Sequence, residues 1–141
     1  MSEGDFLDSN VVVYFFSRTD LRKHRIARRL FEETLQADLT ISFQVVGETL
    51  NVLTQKLTPQ MPPDEAQRAL DITLKPLWRI NPSPDLYAMA LRVKARYEYP
   101  LYDSLIIAAA LEAGCERLLS EDMQHGQRID GLTIVNPFLE A

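Results

Sequence analysis

The sequence predicts an α/β domain of three layers, α/β/α, around a central and mostly parallel sheet of about four to five strands. Two observations carry that expectation. Short apolar runs alternate with longer segments of helical periodicity, and those segments are long enough to serve as the crossovers that parallel strands require. A third observation is size: 141 residues suit a single domain, residues 1–141, with one compact core.

The elements follow in order. "DFLDSNVVVYFF" opens as a strand, reaches Asp8-Ser9-Asn10, residues suited to a turn or helix cap, and resumes as a short helix. "DLRKHRIARRLFEETLQA" places Ile26, Ala27, Leu30, Phe31 and Leu35 on one helical face and Arg22, Arg25 and Arg29 on another, an amphipathic helix with a basic side. "DLTISF" is a compact strand signal. In "QVVGETLNVLTQKL" the apolar Val45, Val46, Leu50 and Leu53 interleave at helical spacing with a polar stripe of Gln44, Glu48, Asn51 and Gln55. Gly47 in that helix would let backbone or ligand approach closely.

"TPQMPPDE" reads as a loop, and its prolines precede the helical pattern "PDEAQRALDITLKPL". "LWRINPSP" gives a short strand and turn. Ser83 then caps a helix with Pro84 at its first position and Leu86, Met89, Ala90, Val93 and Tyr97 facing inward. "LYDSLIIAAALEAG" is apolar on nearly every side, hence a buried helix, with Asp103 at its mouth and Gly114 suited to end it in a left-handed conformation. "ERLLSED" and "GLTIVNP" supply the last two strands.

Composition narrows the function classes. A hydrophobic fraction of 46% with 25% charged residues is ordinary for a globular protein, and no apolar run approaches the roughly 20 residues of a membrane span. The opening "MSEGDF" carries no basic signal-type region, and Cys115 is the single cysteine, which points to the cytoplasm and leaves no internal disulfide. A net charge of −5 argues against coating nucleic acid through bulk charge, although a local basic strip can still engage phosphates.

In open sheets of this class, chemistry collects beyond the carboxyl ends of the strands. Asp8 follows the first strand, Glu48 lies in the first turns of the helix after the second, Asp103 opens the buried helix, and Ser120-Glu121-Asp122 follows "ERLL". Each has a plain structural reading: Asp8 and Asp103 as helix caps, Glu48 as part of a solvated face, Asp122 as a turn residue. Their common placement at one end of the sheet favours convergence instead. A carboxylate cluster needs positive charge to offset its repulsion, and hard oxygen donors suit Mg²⁺ or Mn²⁺.

These segments resemble the PIN domain family, and within it the VapC-like toxins of bacterial toxin–antitoxin pairs. The resemblance rests on "FLDSNVVVYFF", on the glutamate-bearing "SFQVVGETLNVLTQKL", and above all on "YDSLIIAAALEAGCERLLSED", and it covers essentially the whole chain. It implies a PIN-like fold with a metal site of Asp8, Glu48, Asp103 and Asp122, supported by the polar residues Ser9, Asn10 and Ser120. Asp103 is then cap and ligand together. Serine stands at positions 9 and 120 where threonine is common, and Gln124, His125 and Gly126 stand where many relatives carry a further acid.

The implied activity is that of a Mg²⁺- or Mn²⁺-dependent endoribonuclease, the toxin of a VapBC-type pair. Asp8 and Asp103 are expected as principal ligands, with Glu48 and Asp122 acting through water or orienting the nucleophile. The implied partners are an RNA substrate, a cognate antitoxin and a second copy in a homodimer, with no membrane association. Helix surfaces around residues 26–35 and 45–53 are the expected antitoxin groove, and Arg22, Arg25 and Arg29 the RNA-binding strip. His24 and His125 read as surface histidines without metal-pair spacing. Three rival readings stand beside this one. A PIN nuclease of RNA maturation or decay would have no toxin role. A phosphotransferase with an aspartyl intermediate is weakened by Asp-Ser-Asn in place of Asp-x-Asp. A partner-binding module would show no cleavage.

Overall fold

A computed structural model describes residues 4–34 and 38–139. The opening residues Met1–Glu3, and Leu35, expected on the apolar face of the second helix, lie outside the described residues.

Strand β1 (Asp5–Leu7) leads into α1 (Ser9–Phe16), α2 (Leu21–Glu33), β2 (Leu39–Ser42) and α3 (Phe43–Asn51). Helix α3 runs on through wider π-type turns over Val52–Lys56, where the Leu57 N–H donates to the Val52 carbonyl at 3.1 Å. Helix α4 (Pro63–Arg68) likewise continues in π-type turns to Leu74 and a 3₁₀ turn over Lys75–Leu77. There follow β3 (Trp78–Ile80), α5 (Pro84–Tyr97), α6 (Leu101–Glu112), β4 (Arg117–Leu119), β5 (Arg128–Ile129) and β6 (Leu132–Val135).

The strands form one six-stranded sheet in the order β3-β2-β1-β4-β6-β5, parallel throughout except for the β5/β6 hairpin. Central strands are buried on both faces, as Phe6, Leu7, Leu39, Ile41, Leu118 and Leu119 show, which is what helices on both sides of a parallel sheet produce. The expected three-layer α/β/α architecture is therefore present.

Among the described residues the strand count of about four to five is corrected to six. The additional strand, β5, is only two residues long and pairs Ile129 with Leu132 across Asp130-Gly131, both at positive φ (49° and 88°). Asp-Gly is the sequence pattern for such a tight hairpin turn, so the signal is present in "RIDGLTIV".

Ser83 caps α5 as expected, accepting the Leu86 N–H at 3.1 Å, and Gly114 takes φ 71° after α6. Asp103 does not cap α6. The cap position is Pro100 and makes no side-chain hydrogen bond, which leaves Asp103 in the first turn of the helix. There its charge still interacts favourably with the helix dipole, but its oxygens are not spent on backbone N–H groups.

His24 is also corrected. It is buried, and its Nδ1 lies 2.9 Å from the Tyr14 carbonyl, tying α2 to α1. His125 is exposed as expected, its Nδ1 accepting the Asn136 N–H at 3.0 Å.

Candidate active site

Strand order fixes where a site can form. From β1 the chain moves outward through β2 and β3, then jumps to the other side of β1 to lay down β4, so the order reverses between β1 and β4. A crevice opens at such a switch point beyond the strand ends, which is where ligands bind in open α/β sheets. Register then places the residues. Leu7 pairs with Leu119, so Asp8 and Ser120 are the next residues on each strand and emerge side by side.

Asp8 is buried, with 6% of its surface exposed, and both carboxylate oxygens are held. Oδ1 accepts the Ser9 N–H at 2.7 Å and Oδ2 accepts the Ser120 hydroxyl at 2.7 Å. Ser120 Oγ in turn accepts the Asp122 N–H at 3.2 Å. Asn10 reaches across from α1: its Nδ2 donates to Asp122 Oδ2 at 2.9 Å, and its Oδ1 accepts the Glu121 N–H at 3.4 Å. Asn10 and Ser120 thus join the end of β1 to the loop after β4, while Ser9 contributes its backbone N–H to Asp8 itself.

Glu48 enters from α3. Gln44, one turn earlier, donates to Glu48 Oε2 at 3.1 Å and to the Tyr102 carbonyl at 3.1 Å, so a single amide bridges α3 to the start of α6 beside Asp103. In the sequence Gln44 reads only as part of a polar stripe. Its i,i+4 spacing to Glu48 is the pattern that identifies the contact. Among the described residues Asp103 itself accepts no hydrogen bond, so both of its oxygens are available. Gly47 is exposed, and a Cβ there would meet nothing within 4 Å, so no backbone of the fold uses the close approach that a glycine permits.

The electrostatics bring these acids together. Burial pushes the Asp8 carboxyl up to about 6; its bonds to Ser120 and Ser9 act against that rise, and the charges of Glu48 and Asp122 add to it. Asp103 is raised as well, first by desolvation and then by Asp122 and Glu48. Glu48 and Asp122 therefore lie close enough to load both. Among the described residues, no ion pair reaches any of the four.

Carboxylate and amide oxygens around a net negative charge are a donor set that fits a hard divalent cation. Among the described residues no three His, Cys, Asp or Glu side chains stand grouped closely enough to hold a metal as they are placed.

The basic strip is divided. Arg22 Nη2 donates to the Phe138 carbonyl at 2.8 Å and so holds the turn after β6, whereas Arg25 and Arg29 are exposed on α2. The expected apolar docking surfaces are largely internal. Ala27, Val45, Val46 and Leu53 are buried, and Ile26, Leu30 and Phe31 pack against the core. Of the exposed apolar side chains, Phe43, Tyr87 and Tyr102 gather around a groove of about 180 Å³ also lined by Ile80, Pro82 and Leu86, with Leu91 exposed one turn beyond Tyr87, while Leu21, Ile72 and Leu139 stand apart from it.

Comparison with known proteins agrees with this architecture. Among solved structures, a toxin–antitoxin complex from Klebsiella pneumoniae superposes with a TM-score of 0.71 at 22% identity, over 95% of this chain and 98% of that one. VapC20 from Mycobacterium tuberculosis, described as a sarcin-ricin loop cleaving toxin, gives 0.66 at 22% identity over 84% and 90%. VapBC2 from Rickettsia felis, solved with a promoter DNA fragment, gives 0.60 at 19% identity over 92% and 96%. No curated protein matches the sequence significantly. The family model of the PIN domain matches residues 6–130, most of the chain and every acid of the site, and the chain belongs to the PIN domain family.

Proposed function

We propose that this chain is a Mg²⁺- or Mn²⁺-dependent endoribonuclease and the toxin of a VapBC-type toxin–antitoxin pair. The observation that carries the reading is Asp8. It is a buried carboxylate hydrogen-bonded to Ser120 across the β1/β4 switch point, with Glu48 and Asp122 near enough to add to the burial that raises its pKa to about 6. A buried acid so placed, with no cationic side chain paired to it, is costly for a purely structural site.

Asp8 and Asp103 would hold the cation directly, and Glu48 and Asp122 would complete the site. When bound, a divalent cation supplies Lewis acidity to the scissile phosphate and to the attacking water. The chain's own residues do the positioning. Ser9 and Ser120 fix the two oxygens of Asp8, Asn10 holds one oxygen of Asp122, and Gln44 holds one oxygen of Glu48. Glu48 and Asp122 each keep a second oxygen to orient a water for in-line attack. Exposed Arg25 and Arg29 on α2 are suited to draw the phosphate backbone toward an otherwise acidic crevice.

The partners follow from the same reading. An antitoxin would cover the acidic crevice and insert a basic side chain where the cation's charge is needed. A homodimer would bury the apolar groove of Phe43, Tyr87 and Tyr102. Among the described residues no helix is long and apolar enough to cross a membrane, and the cytoplasm is the proposed location.

The test is a pool of cellular RNA incubated with purified protein in Mg²⁺, Mn²⁺ or excess chelator, with the new ends mapped. Cleavage that needs a metal, disappears in Asp8→Asn, and leaves 5′-phosphate and 3′-hydroxyl ends is the expected result. Cyclic phosphate ends, or cleavage unaffected by chelator, would overturn the mechanism.

A further inference from the structure

Asp122 sits at the exposed rim of the site, on the loop after β4, and a small tilt of that loop would carry its carboxylate away from Asp8. Its direct ties are the Asn10 amide at 2.9 Å and its own N–H on Ser120. Its neighbour Glu121 points the other way, toward α1 and α2. There Glu121 Oε1 accepts the Tyr14 hydroxyl at 3.0 Å and Oε2 is ion-paired with Lys23. The Lys23 ammonium also lies over two rings, 5.1 Å from the centroid of Tyr14 and 5.7 Å from that of Phe138. Those rings meet edge to face at 5.1 Å, and Arg22 grips the Phe138 carbonyl from the same helix. Lys23 and Glu121 are each about three-quarters buried, with side-chain exposures of 24% and 21%.

Resting on the reading of Asp122 as a metal-site acid, we propose that Lys23 is a positioning residue. Its pairing with Glu121 latches the loop after β4 to α1 and α2, so that Asn10 and Asp122 present to the site. Two features favour this over a merely structural bridge. The Glu121 backbone N–H donates to the same Asn10 side chain that holds Asp122, so the latch and the ligand share one intermediary. The latch also turns Glu121, adjacent in sequence to Asp122, away from the crevice and neutralises it, which keeps a further negative charge out of the acid cluster.

The test compares wild type with Lys23→Met, Lys23→Arg and the charge swap Lys23→Glu/Glu121→Lys. It uses amide hydrogen exchange at Glu121 and Asp122 in the metal-free protein and calorimetric Mn²⁺ affinity. Lys23→Met is expected to speed exchange at Glu121 at least tenfold and to weaken Mn²⁺ binding about tenfold, with exchange in β1 and β4 unchanged. Lys23→Arg and the swap should recover most of both. Should Lys23→Met fail to fold, Tyr14→Phe removes one bond to Glu121 and keeps the rings, and exchange at Glu121 should still rise severalfold. Unchanged exchange at Glu121 in Lys23→Met, or in Tyr14→Phe where Lys23→Met does not fold, overturns the latch. Unchanged Mn²⁺ affinity in Lys23→Met, with a wild type that binds, overturns its role in the site. A wild type that binds no Mn²⁺ overturns the metal-site reading itself, while the exchange data still decide the latch.

Discussion

Replacing Asp8 with asparagine should make the metal-free protein more stable at neutral pH while removing its response to metal. The Asp8 carboxyl stands at about 6 against an ordinary 3.8, raised first by burial. At about 1.4 kcal/mol per pH unit, that difference corresponds to about 3 kcal/mol. The sign follows from which state binds the proton more tightly. Below about pH 4 Asp8 is protonated both folded and unfolded. Between about pH 4 and 6 the unfolded chain releases the proton and the folded chain keeps it, so stability falls with rising pH and the full loss is in place above about pH 6.

The asparagine side chain would carry no charge to desolvate. It keeps an oxygen for the Ser9 N–H and offers an amide to Ser120 Oγ, so about 2 to 3 kcal/mol of the penalty should be recovered, or roughly 4 to 12 °C in Tm at this chain length. The assay is urea unfolding of chelator-treated wild type and Asp8→Asn from pH 4 to 8. The two stability curves should diverge between pH 4 and 6 and run parallel above it. Mn²⁺ at about a thousand times its Kd should then invert the order, since that concentration adds about 4.1 kcal/mol to a protein that binds it. Curves that stay parallel across pH 4 to 6, or a variant stabilised by Mn²⁺ as much as wild type, would refute the reasoning.

Three further outcomes are expected. Asp103→Asn carries no capping penalty, because Pro100 holds the cap position, and should lower cleavage at least a hundredfold and blunt the thermal response to Mn²⁺; wild-type values for both would remove Asp103 from the site. Arg25→Gln with Arg29→Gln should reduce the salt slope of RNA binding by about 0.7 to 0.9 for each phosphate the variant no longer neutralises, and an unchanged slope would leave both arginines as a solvated face. Tyr87→Glu with Leu91→Glu should dissociate a homodimer in sedimentation at micromolar concentration, and a wild type already monomeric there would count against the dimer.

Local pattern carries the architecture further than it carries the site. The switch between strand and helix periodicity locates β1 to β4, β6 and the helices, because each element buries its own repeating face. Strand β5 escapes because two residues are too short for any period, although Asp130-Gly131 marks its turn. Asp8 is legible because strand end and helix start coincide in Asp-Ser-Asn. The capping role expected of Asp103 fails because α6 begins earlier, with Pro100 at its cap position. Out of reach of local reading are the contacts that aim the acids. Gln44 meets Tyr102 across 58 positions and Lys23 meets Glu121 across 98, and nothing in the local spacing of either residue signals its partner. His24 is misread for the same reason: on α2 alone it belongs to a polar run, and only the docking of α1 buries it.

The bond between Ser120 and Asp8 joins residues 112 positions apart, and Asp122 lies beyond that. During synthesis Asp8, Glu48 and Asp103 leave the ribosome well before β4 can pair with β1. No partly made chain that lacks β4 can therefore assemble the crevice, whatever its early helices have done. On the function proposed above, the topology itself delays the chemistry: the fold stays inert until the last carboxylate arrives.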